Sequence, residues 1–371
     1  MPDKQTRILN VPKLRFPEFE GEWEESTIGN EFDLYSGNTP SRLNKEHFKG
    51  SINWISSGEL KEHYITESKE KISEGAAKNL KLLPAGTFVI AIYGLEADGV
   101  RGTGSITKSE STISQACMAF TPKGKVENEF LYSWYKKHGN VIGIRYAQGT
   151  KQQNLSYDII EKFKIAYPKT DEQEKLNKFI SLLDERIATQ NELIDRLQSL
   201  IKGIAVKSFQ ATEKTIPLLE FAPKITSGTD KNASGTIPLY GSTGIIGKVK
   251  NASQKGNIVL VARVGTIGTV QFVNEPCGVS DNALIIEAGD MTKYIYHFLK
   301  TYNFARITSG TTQPLITASS LKKIAIPIYD IERQNRIVLC LNNLEKKLDT
   351  EKQYLSNIVI MKQYLLRQMF I

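Results

Sequence analysis

The sequence predicts a mixed α/β (α+β) fold in which two similar globular domains are separated by two long antiparallel helices that pair as a coiled coil. An internal repeat, two regions of short strand-like runs and two stretches of heptad spacing support this prediction. The repeat is clearest at Arg145-x-x-x-Gly149-Thr150-x-Gln152, which returns 161 positions later as Arg306-x-x-x-Gly310-Thr311-x-Gln313. A repeat of this length makes half of the chain the structural unit, so we expect an internal pseudo-twofold relation.

The repeat continues into two heptad patterns. Apolar side chains alternate three and four residues apart in both stretches, and Gln190 and Glu351 interrupt the pattern at the same point. This spacing, sustained over about four heptads, is typical of a coiled coil. The predicted seam of the helix pair consists of Leu176, Ile180, Leu183, Ile187, Ile194, Leu197, Ile337, Leu341, Leu344, Leu348, Leu355 and Ile358.

Four segments follow from these patterns. We predict a first globular domain with an N-terminal segment over 1–168, a first spacer helix over 169–210, a second globular domain over 211–328 and a second spacer helix over 329–371. Turn residues separate short apolar runs in both domains, which favours strands. The strands are expected near 53–55, 88–92, 117–120, 258–262, 269–273 and 283–286, and a helix near 129–137 and again near 292–300.

The composition restricts the class of protein. The 371 residues suffice for two globular domains, and the three cysteines are scattered without metal-ligand or disulfide spacing, which suits a reducing cytoplasm. Residues 1–15 are mixed and charged rather than apolar, unlike a secretory signal, and the apolar runs are too short to cross a bilayer. We therefore expect a soluble cytoplasmic protein of a bacterium or archaeon that has no membrane partner.

The formal net charge of +8 is concentrated in the globular parts. Residues 34–170 have a net charge of +6 and residues 211–329 of +5, whereas the two helical segments are nearly neutral. This placement favours contact of both domains with a polyanion, although ordinary solubility explains a modest excess equally well. Residues 16–33 contain seven acids and no base, so this stretch is expected to face away from a phosphate backbone.

The long helices could act as a ruler. Thr170-x-x-Gln173 is a capping-box pattern that starts the first helix, and residues 171–207 would span about 55 Å at about 1.5 Å per residue. A DNA duplex advances about 34 Å per turn, so two linked domains could meet two half-sites about one turn apart. Dimerisation or scaffolding remains the alternative, because heptad helices commonly serve those purposes.

Catalytic motifs are absent from the sequence. It has no phosphate-binding Gly-x-x-x-x-Gly-Lys-Ser/Thr loop, no Gly-x-Ser-x-Gly elbow and no histidine pair at metal-ligand spacing. Neither Asn-Pro-Pro-Tyr nor Asp-Pro-Pro-Tyr, the strings expected of an adenine methyltransferase, occurs. We therefore expect no catalytic residues, no metal site and no cofactor bound by this chain, and we do not expect an enzyme.

The repeated loop has side chains suited to DNA. Arginine can pair with phosphate or guanine, glutamine can pair with adenine, and glycine allows the backbone to approach a phosphate. Because two halves that read different sequences share only scaffold and phosphate contacts, Arg145 and Arg306 are expected to clamp the backbone or fix the loop. A purely structural role of the loop remains the alternative.

Other polar glycine-containing loops are further candidates, although ordinary turns have the same composition. Paired occurrence supports the set, since Ser36-Gly37 matches Ser227-Gly228 and Ser114-Gln115-Ala116 matches Asp281-Asn282-Ala283. In the first domain the predicted DNA-binding residues are Asn38, Thr39, Ser41, Arg42, Ser57, Tyr93, Arg101, Arg145, Thr150 and Gln152. In the second domain they are Ser227, Thr229, Tyr240, Ser242, Thr243, Arg263, Thr266, Arg306, Thr311 and Gln313.

Over nearly its whole length the chain resembles the specificity subunit of a type I restriction-modification system. The resemblance rests on ordered motifs: Pro12-Lys13-Leu14-Arg15-Phe16-Pro17 with Gly21-Glu22-Trp23, Ser36-Gly37-Asn38-Thr39-Pro40-Ser41, Ile237-Pro238-Leu239-Tyr240-Gly241-Ser242, and proline followed by Glu172-Gln173 or Glu332-Arg333-Gln334 at the helix starts. It implies two target-recognition domains that each read one part of an asymmetric bipartite DNA site with a spacer of unspecified bases.

The resemblance also implies partners. Two modification subunits would bind S-adenosylmethionine and methylate adenine, and restriction subunits would use ATP and Mg²⁺ for translocation and cleavage. The chain itself would be a non-catalytic, sequence-specific binder of double-stranded DNA that positions these subunits, which would dock on the helix surfaces and the acidic stretch. A coiled-coil scaffold with protein-binding globular ends is the alternative, and a self-sufficient methyltransferase or nuclease is the third hypothesis.

Overall fold

The structure, a computed structural model, describes residues 10–97, 99–149, 153–210, 212, 214–310 and 314–371. It contains two compact units. The first comprises Met1–Gln190 with Tyr354–Ile371, and the second comprises Asn191–Gln353. Each long helix therefore contributes one part of its length to each unit.

The first unit begins with alternating strands and short helices. Its strands are β1 (Glu24–Thr27), β2 (Phe32–Ser36), β3 (Ile52–Ile55), β4 (Tyr64–Ile65), β5 (Glu70–Ile72), β6 (Phe88–Ala91), β7 (Gly104–Thr107), β8 (Ser111–Ile113), β9 (Cys117–Pro122) and β10 (Lys164–Tyr167). Its helices are α1 (Ile28–Glu31), α2 (Glu74–Ala77), α3 (Asn128–Tyr146) and α4 (Tyr157–Ile160), and the long helix α5 (Thr170–Gln210) follows.

Three sheets organise the first unit. The largest has the strand order β2-β9-β6-β7-β4, the second has the order β5-β3-β8, and β1 pairs with β10. All four side chains of β6 are buried, and helix α3 packs along β6 and β7 with Phe130 and Leu131 in the same core. The continuous apolar run of this strand is therefore explained by burial of both of its faces.

The second unit repeats this plan with shorter connections. Its strands are β11 (Thr215–Pro217), β12 (Ile225–Ser227), β13 (Ile237–Tyr240), β14 (Ile245–Val249), β15 (Ile258–Ala262), β16 (Val270–Val273), β17 (Gly278–Val279), β18 (Ala283–Ile286) and β19 (Ala325–Pro327). Its helices are α6 (Leu218–Phe221), α7 (Thr292–Leu299) and α8 (Ala318–Lys322), and the second long helix α9 (Ile331–Met369) follows.

The sheets of the second unit match those of the first. Their orders are β12-β18-β15-β16, β14-β13-β17 and β11-β19, so each strand of the first unit except β4 has a counterpart in the second. Strand β4 lies within the longer connection between β3 and β5, where the second unit has only residues 241–244. The predicted internal repeat and α+β fold class are thus confirmed, and the predicted segment boundaries fall after β10, α5 and β19.

Helix α3 is longer than the sequence indicated. We predicted a helix over 129–137, but α3 continues to Tyr146. Gly139 and Gly143 lower the helix propensity of this stretch, which is why the pattern ends early. Both glycines allow close packing: a Cβ atom at Gly139 would lie 3.1 Å from Gly102 Cα, and one at Gly143 would lie 2.5 Å from Arg101 Cγ.

The long helices pair within each unit. In the first unit Arg186 of α5 donates to the Tyr354 hydroxyl of α9 at 3.3 Å, and Asp184 forms an ion pair with Lys362. The chain position rises along one helix as it falls along the other, so the two helices are antiparallel there. In the second unit Ala205 of α5 and Leu341 of α9 belong to one apolar core.

The helix ends insert into the globular cores at equivalent positions. Phe209 near the end of α5 packs against Tyr294 and Phe298 in the second unit, with ring centroids 5.3 and 5.4 Å away. Phe370, 161 positions later and directly after α9, packs against Phe130 at 5.2 Å in the first unit. Each globular core therefore contains the C-terminal end of a long helix.

Burial along the long helices follows a heptad spacing. Of the predicted seam residues, Leu176, Ile180, Ile194, Ile337, Leu341 and Ile358 are buried, and the others are half-buried. Gln190 and Glu351 are also buried, with 2% and 9% of their surface exposed. Polar side chains that interrupt an apolar seam fix the register of helix pairs at some cost in stability.

Candidate nucleic-acid interface

The polar loops of the first unit meet at one edge of the five-stranded sheet. Strands β2 and β6 end at this edge, and β7 and β9 begin there, because β9 is antiparallel to β2 and β6, and β6 is antiparallel to β7. The loops over 37–44, 92–103 and 114–116 therefore come together. We call this surface, together with residues 148–156 where they are described, the first loop edge.

Backbone hydrogen bonds hold the first loop edge together. Asn38 N donates to Ile113 O at 3.1 Å, and Ile92 N donates to Ala116 O at 2.9 Å. Leu155 N then donates to Ile92 O at 2.9 Å, which joins the repeated motif to the end of β6. Backbone hydrogen bonds to one another and to the strand ends thus position these loops.

The second unit has the same arrangement, the second loop edge, formed by residues 228–230, 241–244, 263–269, 280–282 and 309–317 where they are described. Gly228 N donates to Ala283 O at 3.1 Å, and Arg263 N donates to Asn282 O at 3.0 Å. Ile316 N donates to Arg263 O at 3.0 Å, as Leu155 does to the residue at the end of β6. Both units therefore share one pattern of backbone hydrogen bonds at the loop edge, which we call the backbone frame, whereas their side chains and loop lengths differ.

One predicted correspondence needs correction. The sequence suggested that Ser114 matches Asp281, but Ser114 N donates to Ile55 O and Ser280 N donates to Tyr240 O, so Ser114 corresponds to Ser280. The alignment by residue type was displaced by one position because an amide side chain followed by alanine occurs in both turns, as Gln115-Ala116 and Asn282-Ala283. The backbone hydrogen bonds therefore align the two turns where the short sequence similarity did not.

Two glycines bring the backbone of each loop edge into close contact. A Cβ atom at Gly37 would lie 2.0 Å from Ile113 O, and one at Gly228 would lie 2.1 Å from Val279 O. Contacts this short are impossible for a side chain, so the paired Ser-Gly motif that the sequence revealed has a structural cause.

We expect Gly37→Ala to weaken recognition of the first half of a DNA target at least tenfold, and Gly228→Ala to do so for the second half. The added methyl group must displace a strand end, and overpacking of this kind costs about 1–3 kcal/mol. Gly58→Ala is the matched control, because its Cβ atom would meet nothing within 4 Å. Binding to variant target duplexes measures the effect, and unaltered affinity in both variants would contradict it.

An open cavity of about 480 Å³ lies at the first loop edge. The polar residues that line it include Tyr93, Gln148, Asn154 and Ser156. Gln148 and Asn154 form a backbone bridge on either side of Gly149, whose φ of 110° requires glycine. In the second unit Ser309 and Leu315 bridge in the same way around Gly310, with a φ of 93°.

We did not predict Gln148, Asn154 and Ser156 from the sequence, although they line this cavity. The only available signal was their position beside the repeated Gly-Thr-x-Gln string. Thr150 and Gln152 of that string, and Thr311 and Gln313 of its second copy, lie outside the described residues. Their predicted contacts with DNA stay predictions.

Several predicted residues of the first unit already have protein partners. Arg42 forms a two-pronged ion pair with Glu70 at 2.9 and 2.8 Å and lies over the Phe48 ring. Thr39 contacts Gln115, and its amide is bonded to the Asn38 side chain. These contacts orient the loop, and Arg42 must leave Glu70 before both of its prongs can bind a phosphate.

The remaining predicted residues of this unit differ in their surroundings. Tyr93 is exposed and lines the cavity, and Arg101 donates to Gln153 at 3.2 Å. The Ser41 carbonyl is contacted by His47, and Ser57 begins a 3-10 turn. The structure thus places Asn38, Thr39, Ser41, Arg42, Tyr93 and Arg101 in the loops of the first loop edge, whereas Ser57 lies in the connection that follows β3.

In the second unit a tight hairpin lies beside the loop that follows β15. Gln271 donates to Gly241 O at 2.9 Å, and Thr266 donates to Ser242 O at 3.4 Å. Tyr240 donates to Glu275 at 2.7 Å, and burial together with this carboxylate raises the pKa of Tyr240 to about 12. The predicted residues Ser242, Thr243 and Thr266 therefore lie close together, with Ser227 and Thr229 at the end of β12.

Arg145 and Arg306 occupy a different place from the loop-edge cavity. Arg145 lines a groove with Trp134, His138 and Phe163, and Arg306 lines the corresponding groove with Phe298 and Tyr302. Both arginines are exposed. They border the helix that covers each sheet, and their predicted role as backbone clamps stays a prediction.

The acidic stretch over 16–33 is largely neutralised within the first unit. Glu24 pairs with Lys125, Glu25 with Lys164 and Asp33 with Lys123, at 2.8, 2.6 and 2.9 Å. Glu18 also forms an ion pair with Lys175. We predicted from the sequence that partner subunits dock on this acidic stretch, and these ion pairs reduce the negative charge that it presents.

A buried ionic cluster, which the sequence did not reveal, joins the globular part of the first unit to its helices. His63 lies 2.8 Å from Glu129 Oε2 and 2.9 Å from Asp184 Oδ2, although the second contact is poorly aligned for a hydrogen bond and is best described as an ion pair. Its ring is stacked between Tyr64 and Tyr132, with centroids 4.0 and 3.9 Å away. Burial lowers the pKa of His63, but the two carboxylates outweigh this effect and raise it above 6.5.

The second unit has a related cluster. Lys300 pairs with Glu345 at 2.5 Å, and His297 contacts Asn342 at 2.9 Å. Glu345 is 161 positions after Asp184, so an acid at this point of each long helix meets cations of the globular part. This shared arrangement is visible only in the tertiary structure, because the cationic partners of the two acids come from different elements.

Among the described residues, no group of three or more histidine, cysteine or acidic side chains is arranged to hold a metal ion. Within the same ranges, no helix has the length and apolar character needed to span a membrane.

Comparison with known proteins identifies the family. The family model described as the type I restriction modification DNA specificity domain matches residues 20–199 and 218–359, most of the chain. The chain belongs to this family. Its two matched regions each include one globular part and much of a long helix, which agrees with the internal repeat.

Named relatives agree with this assignment. The chain is 24% identical over 351 residues to the type I restriction enzyme EcoprrI specificity subunit of Escherichia coli, covering 85% of both chains. It is 27% identical over 203 residues to the MjaIX specificity subunit of Methanocaldococcus jannaschii, covering 52% of this chain and 44% of that subunit. Specificity subunits are non-catalytic DNA-recognition components of type I restriction-modification systems.

A solved structure supports the fold. The crystal structure of the type I restriction-modification S subunit from M. genitalium superposes with a TM-score of 0.67 at 19% identity, covering 97% of this chain and 99% of that one. At this identity the likeness establishes the architecture alone. The α+β fold with long helices is therefore shared.

Proposed function

We propose that this chain is a sequence-specific DNA-binding subunit that recognises an asymmetric bipartite target and positions adenine methyltransferase and restriction subunits on it. One observation supports the proposal most strongly: the same backbone frame occurs at both loop edges with different side chains. A shared frame suits the phosphate backbone, which is the same in any sequence, and unlike side chains suit two unlike half-sites.

The helices offer surfaces for partner subunits. Leu193 and Leu200 are exposed on α5, and Tyr354 and Met361, the positions 161 later, are exposed on α9. Exposed apolar side chains at matching positions favour two copies of one partner that bind in the same manner. We propose that two modification subunits dock here, and that restriction subunits join the assembly.

The chemistry would reside in those partners. We propose that S-adenosylmethionine, ATP and Mg²⁺ are bound by the modification and restriction subunits and that this chain binds no cofactor. The proposed location is the cytoplasm, where DNA and the partners are present. Methyl transfer by the purified chain alone would contradict this division of labour.

The first test of the proposal is to determine which adenines the complex methylates. The chain is co-expressed with its modification subunits in a host without adenine methylation, and modified adenines are sequenced. We expect a single motif of two unlike half-sites separated by unspecified bases. A scaffold with protein-binding ends would give no sequence-dependent methylation.

Inserting one heptad into both α5 and α9 tests the ruler. Seven residues lengthen a helix by about 10 Å, close to three base pairs, so we expect a longer spacer between unchanged half-sites. The control variant has the insertion in α5 alone, which offsets the helix seam and should abolish methylation. An unchanged spacer in the double insertion would refute the ruler.

A further inference from the structure

The clearest difference between the two loop edges lies at the ends of β6 and β15. Ile92 and Arg263 occupy the same backbone position, because each amide donates to the turn before β9 or β18 and each carbonyl accepts from the repeated motif. Two residues later Gly94 and Gly265 have φ values of 75° and 71°. The loop therefore starts in the same way in both units, although it extends over residues 92–103 in the first and only 263–269 in the second, and the side chain at its first position differs.

The two side chains have different surroundings, since isoleucine packs in an apolar core and arginine requires hydrogen-bond acceptors. Ile92 is 3% exposed and belongs to the apolar core of the first unit. Arg263 is half-buried, and its Nε is shielded from solvent without a hydrogen-bond partner among the described residues. By contrast, Arg42 and Arg15 are bonded to carboxylates, and Arg101 at the first loop edge, whose Nε is shielded in the same way, donates to Gln153 through another nitrogen. A shielded guanidinium N–H without an acceptor is costly, so an acceptor supplied by a ligand would be favoured.

The loop that begins with Arg263 is fixed to the hairpin over residues 241–244. The following glycine, Gly265, lies near the hairpin, since a Cβ atom there would be 3.8 Å from Ser242 Oγ. Thr266 and Gln271 bind the hairpin backbone on the same side. The backbone from which the Arg263 side chain leaves is thus held in place, which suits recognition of a single base edge.

Phosphate and guanine are the two acceptors in DNA that arginine binds with two prongs. Phosphates are the same in both half-sites, so a phosphate clamp should occur in both units. The position of Arg263 is occupied by a buried isoleucine in the first unit. We propose, on the basis of the proposed function, that Arg263 reads a guanine in the second half-site and is a specificity-determining residue.

The test uses the chain in complex with its modification subunits and a library of duplexes with random bases. Bound duplexes are sequenced for the wild type, Arg263→Ile and Arg263→Lys. We expect the preference for G·C at one position of the second half-site to fall at least tenfold in both variants. The sequence preference at the first half-site should stay unchanged. Lysine retains the charge but not the two-pronged geometry, so it should not rescue the preference.

Arg306→Ala is the matched control, because it removes an arginine of the same unit from outside the loop edge. It should weaken all sequences equally and reduce the dependence of binding on salt. The same uniform loss in Arg263→Ile, with rescue by Arg263→Lys, would identify a phosphate contact and overturn the proposal. An unchanged motif in a folded Arg263→Ile variant would also overturn it.

The wild-type selection separates this inference from the proposed function. Absence of any enriched sequence with the wild-type complex would refute DNA recognition as a whole. Enrichment of two half-sites that Arg263 variants leave unaltered would refute only the role of Arg263. Amide hydrogen exchange of β15 verifies that the variants remain folded.

Discussion

His63→Ala should lower the stability of the first unit by about 3 kcal/mol, because it removes the cation that faces two carboxylates in a buried cluster. The His63 side chain is 5% exposed, and those of Glu129 and Asp184 are 31% and 17% exposed. Asp184 retains Lys362, so the remaining charge is partly balanced. Loss of the ring also removes the stacking on Tyr64 and Tyr132.

The contribution of His63 should depend on pH. Because its pKa is raised in the folded state, its stabilisation is fully present below about 6.5 and is lost as the pH rises through the folded value. Burial opposes ionisation of Asp184, but His63 and Lys362 lower its pKa, so its contribution is lost at acidic pH. The difference between wild type and variant should therefore be largest between about pH 4 and 6.5.

Amide hydrogen exchange measures this effect locally. Exchange of β6 should accelerate in His63→Ala, whereas that of β15 in the second unit should not change. The control is His47→Ala, which removes a histidine of the same unit whose ring lies 3.1 Å from a backbone carbonyl and forms no ion pair among the described residues. Equal protection of β6 in wild type and His63→Ala at pH 6 would show that the cluster contributes no stability.

Phe370→Ala should destabilise the first unit by about 3–5 kcal/mol, and Phe209→Ala should have the same effect on the second unit. Each ring is at least 96% buried, since Phe209 is 4% exposed and Phe370 is 2% exposed. Truncation leaves a cavity between the end of a long helix and the aromatic residues of the globular core. The helix that connects the two proposed half-site readers would then lose its fixed attachment at one end.

The matched controls are Leu200→Ala and Met361→Ala. These residues are also 161 positions apart and lie near the same helix ends, but they are 53% and 45% exposed. We expect them to change stability by less than about 0.5 kcal/mol. Hydrogen exchange should assign each phenylalanine effect to its own unit, and equal loss in both units from one substitution would contradict the assignment.

The backbone frame could be predicted where the same short motif occurs in both units. Ser36-Gly37 and Ser227-Gly228 could be paired from sequence because the contact with a neighbouring carbonyl excludes any side chain in both units. Helix α3 was underestimated because Gly139 and Gly143 resemble helix breakers until their close packing partners are known. The DNA-facing role of the predicted site residues stays a prediction in both units.

The sequence by itself determined the internal repeat, the two long helices, the strand-rich globular parts and the family, since periodicity and motif order are properties of the linear chain. Only the tertiary structure decided which side chains are already engaged. Arg42 is bound to Glu70, whereas the Nε of Arg263 finds no partner among the described residues. Residues 63, 129 and 184, far apart in sequence, form one ionic cluster because sheet pairing and helix packing bring them together, and no local pattern encodes such contacts.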